Sequence, residues 1–168
     1  TYYVSTNGSS SNSGTKSSPW DLTSALDGSQ SVAPGSKIIV LPGTYGTGSD
    51  FSVQLAGAAG NKIYIEPEDP RDQGSVKVNG RFFTTGSAKF LQFTGFEIYN
   101  TGQNDTIAYP VGFWLQAGDS IYMVNNIIHD GSLGISDWKS TTRSVAYGNI
   151  CLLYTYPITR DSRVSRMP

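Results

Sequence analysis

The chain consists largely of short apolar segments that recur at nearly regular intervals. From residue 37 onward, runs such as KIIVL, KIYIE, KFLQF and SIYMV are each bounded by Gly, Asn, Asp or Pro. Five of these runs open, at spacings of 25, 27, 31 and 24 residues, at Ile38, Ile63, Phe90, Ile121 and Val145. Repeats of about 20–50 residues are typical of architectures in which one unit cannot bury its apolar side chains without neighbours above and below. The spacing therefore predicts a stack of similar coils.

Three of the later repeats also align residue by residue. The segments GFEIYN, NNIIHD and GNICLL begin at residues 95, 125 and 148. Their alignment produces two inward-facing columns, one of Phe96, Asn126 and Asn149 and the other of Ile98, Ile128 and Cys151. Asparagines stacked at a bend can hydrogen-bond the backbone and each other, so we expect Asn126 and Asn149 to form a ladder. The alternative is that each Asn lies in an ordinary exposed turn.

A third alignment completes the coil. GFWLQ at 112–116 and GISDW at 134–138 match one another 22 residues apart. Each coil then contains three short strands, which is the arrangement of a parallel β-helix. The composition agrees, because 19 glycines and a charged fraction of only 15% favour turn-rich β structure over a helical bundle. We therefore predict an all-β fold.

The segment before the first coil has a different character. Residues 5–18 contain no apolar side chain and are expected to form a surface loop. A short amphipathic helix is predicted over 18–26, with Ser18 as N-cap, Pro19 in its first turn and Gly28 just past its end. A β-helix needs a cap at each end of its interior, and this helix can supply the N-terminal one.

Charge and hydropathy argue against several classes of partner. A net charge of −1 gives no basic surface for nucleic acid, and no apolar run approaches the roughly 20 residues that span a membrane. The single cysteine, Cys151, has no partner for an intrachain disulfide and is expected to be a buried thiol. The sequence also lacks phosphate-binding glycine loops and zinc-binding patterns.

Four segments carry a resemblance to a known family. They are YYVSTNG at 2–8, SPW at 18–20, PGSKIIVLPGTY at 34–45 and NNIIHDGSLGI at 125–135. Through them the sequence resembles the proteins of the pectate lyase superfamily, particularly the alginate lyase and chondroitinase B branch. The resemblance implies a right-handed, single-stranded parallel β-helix of about five coils with a short N-terminal capping helix.

The whole chain, 1–168, is predicted to be one domain. Residues 1–36 would hold the first strand, the polar loop and the capping helix, residues 37–151 the coils, and residues 152–168 an atypical tail or cap. Members of the family usually continue for several more coils, so the chain looks short or truncated. We expect a homo-oligomer through the C-terminal coil, with the contact at or near Leu152, Leu153 and Tyr154.

The resemblance places a sugar-binding groove on the outward face of the GFWLQ and GISDW strands. If Phe113 and Ile135 point inward, alternation turns four residues outward, namely Trp114, Gln116, Ser136 and Trp138. Two neighbouring tryptophans would form a flat platform against which pyranose rings can stack. The alternative is that a loop such as 100–111 covers these side chains and that they are ordinary packed aromatics.

Polysaccharide lyases, which the sequence resembles, need a base and a positive charge that stabilises an enolate-like intermediate. The candidates for these catalytic roles are Lys139 and Arg143, expected on the turn after GISDW, and His129. The HDG sequence around His129 is equally typical of an ordinary β-helix turn.

Calcium is the one cofactor that the sequence suggests. Asp130 and Asp137 are candidate Ca²⁺ ligands, with Asp105 as a third. Their spacing matches no dedicated metal-binding loop, so the alternative interpretation is that they are solvated turn residues.

The predicted function is that of a carbohydrate-active β-helix protein resembling a polysaccharide lyase. It would act by β-elimination on an acidic, uronic-acid-containing polysaccharide. We expect a secreted or periplasmic protein. The alternative is a non-catalytic glycan-binding, adhesive or structural module that lacks a complete active site, because the fold alone does not specify an activity.

Overall fold

The structure of the protein is a computed structural model that describes residues 1–101, 110–131 and 133–152, with the backbone alone for 110, 111 and 138–140. None of the helices within these ranges is long and apolar enough to cross a membrane. In chain order the elements are β1 (Tyr2–Val4), α1 (Leu22–Leu26), β2 (Lys37–Val40), β3 (Gly43–Val53), β4 (Ile63–Pro67), β5 (Val76–Thr84), β6 (Lys89–Thr94), β7 (Glu97–Tyr99), β8 (Pro110–Val124), β9 (Ile127–His129), β10 (Leu133–Thr142), β11 (Val145–Tyr147) and β12 (Ile150–Leu152).

These strands pair in parallel and form three sheets around one interior. Sheet A contains β1, β2, β4, β6, the second half of β8, and β11. Sheet B contains the beginnings of β3 and β5 together with β7, β9 and β12. Sheet C contains the remainders of β3 and β5, the first half of β8, and β10. The predicted right-handed parallel β-helix is confirmed.

The pairing register confirms the columns that the repeats predict. Ile128 pairs with Ile98 in the preceding coil and with Cys151 in the following one. In sheet C, Phe113 pairs with Ile135. A shift of one residue would exchange the inward and outward side chains of a strand, so the apolar columns hold each coil in this register.

Aromatic side chains fill the centre of the interior. Phe82 is fully buried, and its ring centroid lies 4.8 Å from that of Phe93, 5.3 Å from Phe113 and 5.5 Å from Phe96. Phe51, from the coil above, lies 6.2 Å away. The ring pairs are tilted, stacked or edge-on, which are arrangements that aromatic rings favour. Phe82 therefore joins several coils in one cluster.

An asparagine ladder crosses the corner between sheets A and B. Asn126 is fully buried; its Oδ1 accepts a hydrogen bond from the Phe96 N–H at 3.0 Å, and its Nδ2 donates to the Phe93 carbonyl at 3.3 Å. The Asn126 N–H donates to Oδ1 of Asn149 at 3.0 Å, and Nδ2 of Asn149 donates to the Met123 carbonyl at 2.8 Å. The predicted ladder is confirmed. It satisfies backbone groups that the bend removes from the sheets.

The residue before each member of the column of Phe96, Asn126 and Asn149 has a left-handed backbone. The φ angles are 82° at Gly95, 52° at Asn125 and 66° at Gly148. Glycine adopts this conformation without strain, and asparagine tolerates it better than most residues. At Asn126 and Asn149 the corner is therefore encoded by two adjacent residues, one that permits the bend and one whose side chain satisfies hydrogen bonds.

The capping helix begins later than the sequence suggested. The helix α1 has Asp21 as its N-cap, and Oδ1 of Asp21 accepts a hydrogen bond from the backbone N–H three residues later at 2.8 Å. The prediction of Ser18 as N-cap is wrong, because Trp20 is extended beside β1 and its N–H donates to the Tyr3 carbonyl at 2.9 Å. The buried side chains of α1 still cover the first coil.

The polar loop at 5–18 lies on the surface, as expected, and also closes over Trp20. The Trp20 indole N–H donates to the Asn12 carbonyl at 2.8 Å, and Nδ2 of Asn12 donates to the Pro19 carbonyl at 2.7 Å. A Cβ at Gly8 would lie 1.9 Å from the Trp20 carbonyl oxygen, so only glycine permits this approach. The loop therefore belongs to the N-terminal cap.

The last described coil exposes apolar side chains. Ile150 and Leu152 are 50% and 61% exposed. Cys151 is also exposed, so the expectation of a buried thiol is wrong: its column is interior, but no later coil among the described residues covers it. Leu153 and Tyr154 lie outside the described residues. Self-association through this coil remains a prediction.

Replacing the central ladder residue should destabilise the protein. Asn126→Ala leaves a buried N–H and carbonyl without their partners, and we expect it to lower the free energy of unfolding by about 1–3 kcal/mol. The control is Asn61→Ala at an exposed position, which should leave the free energy of unfolding nearly unchanged. Urea unfolding measures both, and equal midpoints for the two variants would refute the stabilising role of the ladder.

Two adjacent phenylalanines provide a test of the register. Phe82→Ala removes the ring at the centre of the aromatic cluster and should cost about 3–5 kcal/mol of stability. Phe83→Ala removes a ring from the outward face and should cost about 1 kcal/mol. Chemical unfolding of both variants gives the comparison, and a larger loss for Phe83→Ala would contradict the assigned alternation.

Candidate functional site

The outward face of sheet C carries an aromatic pair at its centre. Trp114 is partly buried and pairs with Phe83 in the coil above and with Ser136 in the coil below. The Phe83 and Trp114 rings meet edge to face, with their centroids 5.2 Å apart. The expectation that Trp114 and Ser136 lie on the outward side of one sheet is confirmed.

The guanidinium group of Arg81 lies over the indole ring of Trp114. Cζ of Arg81 lies 4.3 Å from the Trp114 ring centroid, within the range of a cation–π interaction. Arg81 also forms a two-pronged ion pair with Asp50, with Nε–Oδ1 and Nη2–Oδ2 distances of 2.6 and 3.0 Å. The Arg81 side chain is only 11% exposed, whereas that of Asp50 is 41% exposed. We call the group of Asp50, Arg81, Phe83 and Trp114 the Trp114 platform.

Two glycines explain why these side chains converge. Gly80 has a φ of 154°, and a Cβ there would lie 2.2 Å from the Ser49 carbonyl oxygen, so glycine is required where β5 turns from sheet B into sheet C. Gly112 pairs with Arg81 and presents no side chain. The guanidinium can therefore extend across this position to the ring of Trp114.

The other residues predicted for the groove also fall in sheet C. Gln116 is partly buried two residues beyond Trp114 on β8, on the same face. Trp138 belongs to β10, but its side chain lies outside the described residues, so the second tryptophan of the predicted platform stays a prediction. Asp137 pairs with Leu115, whose side chain is fully buried. Asp137 thus occupies an interior column and remains exposed on the last described coil.

The two basic candidates do not lie on a common turn. Lys139 is within strand β10, so its expected place on the turn after GISDW is wrong, and its side chain lies outside the described residues. Arg143 follows that strand at the corner between sheets C and A, with a φ of 55°. Its Nε donates to Oδ1 of Asp119 at 2.9 Å, and its Nη2 contacts the other carboxylate oxygen. This hydrogen bond with Arg143 is the main cause of the lowered pKa of Asp119.

His129 lies on sheet B, away from the platform strands. Its Nδ1 is 2.9 Å from Oδ2 of Asp130, its Nε2 is 3.2 Å from Oε1 of Glu97, and its ring stacks on Tyr99 at 5.5 Å. Glu97 also accepts a hydrogen bond from Nζ of Lys77 at 2.9 Å. This arrangement links adjacent coils, and none of these contacts directs His129 toward sheet C.

Neighbouring side chains favour the ionised form of Glu97. Burial, the largest single influence, opposes its ionised form, but the hydrogen bonds and charges of Lys77 and His129 together lower the pKa of Glu97 below 4.5. A carboxylate with a lowered pKa stabilises the fold when it is ionised. Glu97 is therefore a structural element of sheet B.

The predicted calcium site stays a prediction. Calcium prefers about six to eight oxygen ligands. In the part of the chain that the structure describes, no group of three His, Cys, Asp or Glu side chains is arranged so that it could hold a metal ion. Asp130 contacts His129, and Asp137 lies in sheet C. The third candidate, Asp105, lies outside the described residues, and no step below depends on calcium.

Sequence reasoning missed Asp50, Arg81 and Phe83. The signal that could have found them is the segment RFFT at 81–84, which the structure pairs with GFWL at 112–115. Extending the GFWLQ alignment one coil upward would have placed Arg81 and Phe83 on the outward face. The Asp50–Arg81 pair has no such signal, because its partners are 31 residues apart.

Two known proteins are similar to this chain. It is 31% identical over 127 residues to pectate lyase L from Dickeya chrysanthemi, in a match that covers 66% of this chain and 28% of the relative. The crystal structure of the GH136 lacto-N-biosidase from Eubacterium ramulus superposes with a TM-score of 0.52 at 17% identity, covering 92% of this chain and 30% of the other. No protein-family model matches the chain.

The sequence relationship and the three parallel sheets together decide the class of fold. The chain is a parallel β-helix that is similar in sequence to a pectate lyase. The likeness to the lacto-N-biosidase, at 17% identity, shows the fold alone. This β-helix spans less than a third of the length of either protein. The closer assignment to the alginate lyase and chondroitinase B branch stays a prediction.

Acid should weaken the fold of this β-helix partly through Glu97. Because the pKa of Glu97 is lower in the folded protein than its ordinary 4.5, its contribution is complete above that value and is lost as the pH falls through the folded pKa. Glu97→Gln should therefore reduce the fall in urea midpoint between about pH 5 and pH 3. Asp72→Asn, at an exposed position, is the control. An unchanged pH dependence in Glu97→Gln would count against this assignment.

Proposed function

We propose that this parallel β-helix is part of a carbohydrate-active protein that binds a uronic-acid-containing polysaccharide along sheet C. The observation that carries the proposal is the Trp114 platform, where an aromatic ring, a guanidinium and an exposed carboxylate share one outward face. Aromatic faces stack on pyranose rings, and planar charged groups hydrogen-bond to their hydroxyls. The names of both similar proteins, a pectate lyase and a lacto-N-biosidase, are consistent with a glycan ligand.

The finer proposal is cleavage by β-elimination. A base removes the proton on the carbon next to the carboxyl group, the electron pair forms a carbon–carbon double bond, and the bond to the glycosidic oxygen of the neighbouring sugar breaks. Lys139 is our candidate for the base. It lies on β10 between Asp137 and Ser140, which pair with Leu115 and Ala117 of the strand that carries Trp114. The proposal is supported by the position of Lys139 on a strand that pairs with the strand of Trp114.

Arg143 and His129 are weaker candidates for catalytic roles. Arg143 is paired with Asp119 at the corner between sheets C and A, and His129 is held by two carboxylates on sheet B. Both side chains already have structural partners outside the platform.

We also propose that the protein is exported to the periplasm or the medium. An extracellular polysaccharide as its partner agrees with this location.

The second candidate function is a non-catalytic glycan-binding module. One specific observation favours it: the described catalytic candidates Arg143 and His129 do not converge with Trp114 on one face. In that case the platform binds sugar but no bond is cleaved. Absorbance of unsaturated uronates, measured after incubation with alginate, pectate and chondroitin, separates the two functions.

Substitution of the tryptophan tests the proposed binding surface. Trp114→Ala should weaken binding of polygalacturonate about 2- to 10-fold, because the loss of one stacking ring is worth about 0.5–1.5 kcal/mol. The control is Tyr99→Ala, which removes an outward aromatic ring from sheet B. Calorimetric titration measures both affinities. Equal affinities in Trp114→Ala and the unaltered protein would exclude the platform as the binding site.

If unsaturated products form, Trp114→Ala and Tyr99→Ala should also differ in the kinetics of product formation. Trp114→Ala should raise the substrate concentration needed for half-maximal rate, and Tyr99→Ala should not. Lys139→Met should abolish product formation while retaining polygalacturonate binding. Undiminished product formation in Lys139→Met would remove Lys139 as the base.

A further inference from the structure

A lysine on the outward face of sheet A is held by neutral partners. Lys62 directly precedes the fully buried Ile63 and therefore points outward. Its Nζ lies 3.6 Å from the centroid of the Tyr122 ring, within the range of a cation–π interaction, and donates a hydrogen bond to Oε1 of Gln92 at 3.2 Å. Nε2 of Gln92 donates in turn to Oγ1 of Thr94 at 3.2 Å. These contacts join three neighbouring coils and fix the position of the ammonium group.

The positive charge of Lys62 is not cancelled by these partners. No carboxylate that the structure describes forms an ion pair with Lys62. By contrast, Lys37 on the same face is paired with Glu66 at 2.7 Å, and Lys16 in the polar loop is paired with Glu68. An ammonium group has three protons, and the amide oxygen accepts only one of them. Lys62 can therefore bind a further acceptor, and charge-assisted hydrogen bonds favour an anionic one.

Two phenolic hydroxyl groups belong to the same face. Tyr64 and Tyr122 pair with Gln92 from the coils above and below, so the three residues form one outward column. In the described part of the chain neither phenolic oxygen has a hydrogen-bond partner, and neither is buried. A phenolic hydroxyl both donates and accepts hydrogen bonds, as the hydroxyls of a sugar do. The column therefore offers partners to a carboxylate and to hydroxyl groups.

From this arrangement we propose that sheet A carries a second binding surface, which takes ionised uronate residues of an acidic polysaccharide. We call Lys62, Tyr64, Gln92 and Tyr122 the Lys62 surface. The uronate carboxylate accepts a hydrogen bond from Nζ of Lys62, and sugar hydroxyls bond to the phenolic oxygens. The inference rests on the proposed function only for the class of polymer, because the Lys62 surface shares no residue with the Trp114 platform.

The dimensions of the surface favour a polymer over a small anion. Tyr64 and Tyr122 lie two coils apart, and a strand spacing of about 4.8 Å separates their backbones by roughly 10 Å. A small anion bound by Lys62 beside Tyr122 leaves Tyr64 unused, whereas neighbouring sugars of one chain reach both hydroxyls. A row of hydroxyl partners also favours a polyhydroxylated ligand over an acidic peptide.

Calorimetric titration with trigalacturonate tests the Lys62 surface. Lys62→Met removes the charge and keeps an unbranched side chain. We expect it to weaken trigalacturonate binding at one site at least about 10-fold, because a hydrogen bond between charged groups is lost. The fully methyl-esterified trimer has no carboxylate, so its binding should be the same in Lys62→Met and in the unaltered protein.

Two further variants make the test specific. Lys16→Met removes the same charge outside the Lys62 surface and should bind trigalacturonate as the unaltered protein does. Tyr64→Phe removes a single outward hydroxyl group and keeps the ring, so it tests the surface even if Lys62→Met fails to fold. It should weaken trigalacturonate binding about 2- to 10-fold. Unchanged binding in Tyr64→Phe overturns the proposal, as does an equal loss in Lys16→Met and Lys62→Met.

The remaining outcomes separate this inference from the proposed function. If both surfaces bind, the titration contains two sites, one weakened by Lys62→Met and the other by Trp114→Ala. Weaker binding in Lys62→Met alone supports the Lys62 surface and excludes the Trp114 platform. Weaker binding in Trp114→Ala alone overturns the Lys62 surface and leaves the proposed function intact. A protein that does not bind trigalacturonate at all overturns both.

Discussion

Parallel stacking of the coils in a fixed register is the constraint on which the rest of the structure depends. Neighbouring strands lie about 4.8 Å apart, so each inward side chain meets the residue at the same place in the next coil. Phe82 illustrates the result, because the rings that bury it come from other segments of the stack. Asn126 illustrates the polar counterpart, since Asn149 of the following coil accepts its N–H. Neither environment exists within a single coil.

The same register creates the candidate site. Once the inward residues of sheet C are fixed, the alternating residues must point outward, and stacking places Phe83 directly above Trp114. The site is therefore a consequence of packing on the opposite face of the same strands. A platform built on regular strands is held more precisely than one built on loops.

Ion pairs between coils occur on more than one face and differ in what surrounds them. The Lys77–Glu97 pair joins neighbouring strands of sheet B, and Arg143 joins Asp119 at a corner. Partly exposed pairs of this kind contribute little to stability on their own. The Asp50–Arg81 pair differs because its guanidinium lies on an aromatic ring and is largely shielded from water. Its position beside Trp114 distinguishes it from the other two pairs.

The sequence by itself determined the repeat, the three strands per coil, the corner occupied by Asn126 and the outward face of Trp114. These features are periodic, and a periodic pattern of apolar and polar residues is a direct record of which side chains are buried. Only the tertiary structure decided that Asp21 caps the helix and that Asp50 neutralises Arg81. Such contacts join single residues across coils or depend on the local course of the backbone, and they leave no period in the sequence. The fold could therefore be predicted from the order of residues, whereas the charge of the candidate site was settled by which side chains the stack brings together.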